Sequence, residues 1–239
     1  MGIKTIVEER MNYFKNMGVI FEKTKNESFS QVQTKTFAEY EIKQLEDFKN
    51  TVMDAGANEL AEEIEQKIGH CNRGWRGEEK VGSKLQFCNL DMYVLYCLYF
   101  EFELNNYTIN TQIDYLVITP KNLYFLECKN WKKDIGIDKF QNFYLIFPSE
   151  PRKRIASPFE QLDRQVTTVR KMIEQENNKF WKKAIIRHIF KKNCKLVLVL
   201  ADDGERVYRK DEKGEKIRPI VHTDHLTRYI EETDKRTRN

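Results

Sequence analysis

Polar and apolar positions alternate along this chain in two rhythms, and the rhythm changes near residue 90. Residues 1–70 read as helical and charged: Ile42, Leu45, Phe48 and Val52 fall on one face, Gly56 breaks it, and Leu60, Ile64 and Ile68 resume it. This predicts an amphipathic hairpin of helices ending near residue 70. Two glycines in "NRGWRGEEKVGSKL" then precede what reads as a new helix. Residues 90–104, "LDMYVLYCLYFEFEL", are aromatic and β-branched and predict a strand. Further strands are expected over 112–119, 123–129, 142–148, 194–201 and "IRPIV". Ser157-Pro158-Phe159-Glu160 has the order of a capping box and opens a helix to about 176. A basic helix is expected over 179–191, a hairpin or loop at "DDGERVYRKDEKGEK", and a final helix capped by Thr223. Helices before, between and after the strands imply an α/β (α+β) domain, a central mixed β-sheet flanked by helices.

The two central strands carry charge where charge is costly. "TQIDYLVITPKNLYFLECKNW" is apolar on both faces, as expected of a central pair, yet includes Asp114, Glu127 and Lys129. A turn at Thr119–Asn122, with Pro120 in its favoured position, sets Asp114 opposite Glu127, with Lys129 on the same face. Facing carboxylates repel, and a divalent cation between them removes the conflict. A buried structural ion-pair network is the plain alternative. On "GEEKVGSKL", Glu78 shares the inward stripe of Val81 and Leu85, whereas Glu79 points away. As a first-turn acid, Glu78 would also be favoured by the helix dipole alone.

These blocks together are similar to the nuclease-related domain (NERD), a branch of the PD-(D/E)xK nuclease superfamily. The resemblance rests on Gly74-x-x-Gly77-Glu78, "QID" at 112–114, "ECKNW" at 127–131 and "SPFEQ" at 157–161. It implies a restriction-endonuclease-like core over residues 72–232, with 1–71 as a helical N-terminal extension and 233–239 as a polar tail. It further implies that Asp114, Glu127 and the Cys128 carbonyl ligate Mg²⁺ or Mn²⁺, with Glu78 as a further ligand or beside a bound water. Lys129 would orient water and stabilise charge, and Gln161 would lie near the site. Tyr115 stands where the family has histidine, and Asn122 where it has a turn glycine. The activity implied is metal-dependent phosphodiester hydrolysis, in DNA more readily than RNA. A degenerate fold that only binds nucleic acid or protein is the rival.

Composition changes this picture little. The net charge of +4 is modest for 239 residues, but residues 179–195 hold seven Lys or Arg and no acid. Lys182, Lys183, Arg187, Lys191 and Lys192 are therefore candidate phosphate contacts, unless they are simply the solvated face of a packed helix. Five scattered cysteines, no apolar run of membrane length and no secretory signal fit a reducing cytoplasm. His222 and His225 read as surface histidines rather than a metal pair, and Trp131 as packing at a strand end. The N-terminal helices offer a surface for self-association or a protein partner.

Overall fold

The structure, a computed structural model, describes residues 19–23, 37–104, 107–149, 151–175, 180–201, 207–209 and 218–237. Its centre is a six-stranded mixed sheet: β1 (Val19–Lys23), β2 (Met92–Leu104), β3 (Tyr107–Ile118), β4 (Leu123–Lys129), β8 (Cys194–Leu200) and β10 (Ile220–His222), in that order. The first four strands are antiparallel neighbours, and β4, β8 and β10 run parallel. The parallel step from β4 to β8 requires a crossover. That crossover contains β5 (Asp134–Ile137), β6 (Phe143–Ile146), β7 (Lys153–Ile155), α3 (Pro158–Gln175) and α4 (Phe180–Asn193). Strands β7, β6 and β5, with β9 (Val207–Arg209), form a second, four-stranded sheet, of which the hydrophobic pattern announces only β6; β9 falls in the expected hairpin or loop, the rest of which lies outside the described residues. Three to four residues give too short a period to stand out.

Two cores flank the large sheet. On one face α2 (Asn58–Leu85) and α5 (Leu226–Arg236) bury Val81, Leu85, Leu226 and Ile230 against Tyr124, Leu126 and Val199. On the other, α3, α4 and the small sheet bury Leu162, Val169, Ile189, Ile135 and Phe143 against Leu116, Phe125 and Leu198. No helix among the described residues is long and apolar enough to cross a membrane.

Helix α1 (Phe37–Asp54) and α2 form the expected hairpin, turning at Gly56, whose φ of +77° suits glycine. Its contact stripe is Val52, Ala61, Ile64 and Ile68, with Ile42 and Leu45 partly covered. Phe48 and Leu60, assigned to that stripe, are instead largely exposed. Nor does the helix break after residue 70: α2 is continuous for 28 residues, so the boundary drawn at 71/72 falls inside it, and residues 1–71 are not a purely helical extension, because β1 joins the central sheet beside β2. Gly74 and Gly77 weaken a helix but do not end one when packing outweighs propensity. Gly77 allows close contact, since a Cβ there would lie 2.9 Å from Asn130 Cβ and 3.2 Å from Ala201 Cβ.

Two further expectations fail at the C-terminus. Thr223 does not cap the last helix. A short 3₁₀ turn (Thr223–His225) intervenes, and the Thr223 hydroxyl donates to the Leu200 carbonyl at 2.8 Å. The segment 233–237 is no polar tail, because α5 runs to Arg236 and Asp234 is buried against the β3–β4 turn.

Candidate active site

The β3–β4 register is the one the turn demands: Tyr115 pairs with Leu126, Leu116 with Phe125, Val117 with Tyr124 and Ile118 with Leu123. Regular pairing stops one step before Asp114 and Glu127. Asp114 Oδ2 instead accepts the Cys128 backbone N–H at 2.8 Å. A distortion shared by β2 and β3 explains why. Cys97 has φ +52° and, with Asp114, is skipped in an otherwise unbroken β2–β3 register. Beyond it both strands change face: Tyr96 and Tyr115 lie in the α2-side core, whereas Leu98 and Ile113 lie in the α3-side core. Strict alternation would place Ile113 with Tyr115, and the structure corrects that. The site sits where the pleat breaks, which lets groups from both faces reach one strand end.

Around that end the ionisable groups gather. Glu127 is 1% exposed; Lys129 Nζ donates to its Oε1, and Gln165 Nε2 donates to its Oε2 at 2.9 Å. Lys129 also reaches Gln161 Oε1 at 3.4 Å. From the opposite face, Glu78 accepts the Tyr96 hydroxyl at 2.9 Å, while Glu79 is exposed, as the helical face implied. Tyr115, standing where the family has histidine, donates through its hydroxyl to the Glu78 backbone carbonyl at 2.9 Å. Helix α2 is further tied to the strand ends by Lys80 to the Ala201 carbonyl and by Asn130 to the Arg73 carbonyl.

The electrostatics follow from crowding. Burial, reinforced by the charges of Glu127 and Glu78, raises Asp114 well above the carboxylate range against the opposing Lys129 charge and Cys128 N–H. Burial also raises Glu78 to about 7; the Tyr96 hydrogen bond opposes this, and the Glu127 charge adds to it. Burial lowers Lys129, but the Glu127 and Asp114 charges outweigh it, so the ammonium is held protonated. Burial likewise raises the Cys128 thiol, leaving it without thiolate character.

These oxygen-rich donors suit Mg²⁺ or Mn²⁺ better than zinc. Gln165 Oε1, buried beside Glu127 without a partner, adds one more unclaimed oxygen donor. Among the described residues, however, no three His, Cys, Asp or Glu side chains converge into a finished ligand shell. Gln165 and Tyr96 escape a reading of the sequence. Gln165 lies one helical turn beyond Gln161, a spacing that could have flagged it; nothing local singles out Tyr96.

The basic helix is less coherent than its sequence. Arg187 is committed to Glu174 through two hydrogen bonds of 3.1 and 2.9 Å. Lys183 is half-buried, Lys191 and Lys192 are exposed, and the side chain of Lys182 lies outside the described residues. Asn193 donates to the Lys121 carbonyl, which puts Lys191 and Lys192 at the turn end of the hairpin, away from Lys129. His225 is exposed, and Trp131 packs on the α3-side core.

A mixed sheet between helical layers, with acids and a lysine at the end of a central strand, defines a nuclease-like α/β protein. The nuclease-related domain model matches residues 73–201, and the chain belongs to that family, within the PD-(D/E)xK-like nuclease superfamily. No curated protein and no solved structure matches the chain.

Proposed function

We propose that this chain is a metal-dependent nuclease that hydrolyses phosphodiester bonds, with DNA the preferred substrate. The observation that carries it is the carboxylate cluster of Asp114, Glu127 and Glu78, crowded so that two of its members are pushed upward, with Lys129 alone among them as a cation. Stability alone does not favour such a cluster, whereas a cation would satisfy it. Mg²⁺ or Mn²⁺, held by Asp114, Glu127 and the Cys128 carbonyl with Glu78 beside them, would supply an activated nucleophile and neutralise phosphate charge.

The chain's own groups do the rest. Lys129, fixed by Glu127 and Gln161, places an ammonium where charge develops on the phosphate. Glu78 lies near neutrality and can hold or release a proton at its carboxylate. Gln165 fixes Glu127 by tying it to the Gln112 carbonyl of β3.

The test is incubation of purified protein with plasmid, linear duplex, single-stranded DNA and RNA, with Mg²⁺, Mn²⁺ or EDTA. Cleavage only with the divalent ions is expected, strongest on DNA. The second reading, a module that binds without cutting, is favoured by the unfinished ligand shell and by the bonds already made to Glu127. Binding without cleavage under every condition would establish it.

A further inference from the structure

The small sheet has an outer face that carries aromatic and basic side chains. Its inner face is core: Ile135, Ile137 and Phe143 are buried, with Ile155 and Val207 packed against them. Strand alternation therefore turns the intervening residues outward. The registers pair Arg154 with Tyr144, Tyr144 with Gly136 and Gly136 with Tyr208, so these four form one row across four strands. Gly136 leaves the middle of the row without a side chain of its own, and Ile146 leans into that space as an apolar floor. The two tyrosines stand two strands apart, about 9–10 Å at their backbones.

Tyr144 is held in place, and basic groups lie beside Tyr144 and Phe140. Arg152 stacks on Tyr144 at 4.6 Å, and the Tyr144 hydroxyl donates to Asp138. Tyr208 is 50% exposed, and Phe140, at the β5–β6 turn under the Lys139 ammonium, is 73% exposed. Solvent-facing rings interleaved with Arg and Lys suit unpaired bases and their phosphates. The neighbouring cavity of about 530 Å³ suits phosphate less well, because its two arginines are offset by Glu160 and Asp163.

Through its inner face and its first strand, the small sheet is joined to the active site. Helix α3 presents Gln161 to Lys129 and, two residues earlier, Phe159 edge-on to Phe143 of the small sheet at 5.6 Å. Strand β5 begins five residues after Lys129, within about 18 Å even if fully extended. Resting on the nuclease reading above, we infer that the outer face of the β7–β6–β5–β9 sheet grips a single-stranded segment of nucleic acid, stacking its bases on Tyr144 and Tyr208 of that face and on Phe140 at the β5–β6 turn, and leading it to the strand end that carries Lys129.

The test is fluorescence anisotropy in EDTA with a labelled oligothymidine, an abasic strand of equal length and a blunt duplex. Wild type should prefer the oligothymidine to the abasic strand. Tyr208→Ala and Phe140→Ala should each reduce oligothymidine affinity about tenfold, the scale of removing one stacked ring. Tyr208→Phe, which keeps the ring, should restore it. Unchanged oligothymidine affinity in both alanine variants, or equal wild-type affinity for abasic and thymidine strands, overturns the inference. Cleavage with Mg²⁺ is scored separately. Preferential strand binding without cleavage leaves this surface standing and removes the nuclease, whereas cleavage with no ring dependence does the reverse.

Discussion

The β3–β4 hairpin has buried acids at both ends, built on opposite rules. At the turn, Asp234 from α5 receives the Thr119 hydroxyl, the Asn122 amide at 2.7 Å and the Tyr124 hydroxyl at 3.3 Å. One carboxylate meets three neutral donors, so the network is satisfied and locks the last helix onto the sheet. At the other end three carboxylates share one lysine, and burial and mutual repulsion drive Asp114 and Glu78 upward. The first arrangement is what folding alone favours. The second makes sense when something absent from the polypeptide completes it.

The largest expected effect tests the chemistry at the second end. Lys129→Ala should lower cleavage by about 10²–10³, the usual cost of one preorganised charge-stabilising group, with strand binding retained. Asp234→Asn, at the other end, should retain cleavage at temperatures where it is folded. If Lys129→Ala cuts as fast as wild type, the asymmetry between the ends loses its catalytic meaning.

Stability should separate the ends next. Asp234→Ala removes the charged acceptor shared by Thr119, Asn122 and Tyr124, leaving them the neutral Asn122 carbonyl, Thr237 hydroxyl and Ile230 carbonyl, and should cost about 2 kcal/mol in chemical denaturation. Asp114→Asn can still accept the Cys128 N–H while removing repulsion, so without metal it should melt higher than wild type. Mg²⁺ should raise the wild-type Tm and leave that of Asp114→Asn unmoved. Equal destabilisation by both substitutions would mean that the two acids are alike in kind.

A pH titration gives a smaller, directional effect. The folded value of Glu78, about 7, lies above its ordinary 4.5, so between those values the folded state binds more protons than the unfolded one. Metal-free stability should therefore fall as pH rises from 4.5 through 7, with no contribution from this group to the slope below 4.5. Glu78→Gln should flatten that slope in denaturant midpoints. A wild-type profile that rises across this window would contradict the crowding.

Much of this architecture was legible in local pattern. Pro120 and the turn length set the register that puts Tyr115 against Leu126, and the stripe through Val81 and Leu85 put Glu78 inward and Glu79 outward. What stayed hidden depended on distant partners. Gly77 reads as a helix breaker until Asn130 and Ala201 are packed against it. The face change at Cys97 and Asp114 needs two strands to deform together, which neither strand's alternation reveals. Asp234 looks like tail polarity until the turn closes over it.

The smallest expected effect concerns the lysines. Lys191 and Lys192 lie at the Asp234 end, where β8 starts beside Leu123, while Lys129 lies at the far end of the same seven-residue strand. That separation is roughly 20 Å at about 3.3 Å per residue, so only a nucleic acid running along the hairpin touches both. Replacing Lys191 and Lys192 together by Ala should lower the slope of log affinity against log salt by about two, one for each phosphate no longer neutralised. Arg187→Ala should add little, since Glu174 already occupies its guanidinium. An unchanged slope in the double variant would confine substrate binding to the Lys129 end and make α4 a solvated face whose role is packing through Ile186 and Ile189.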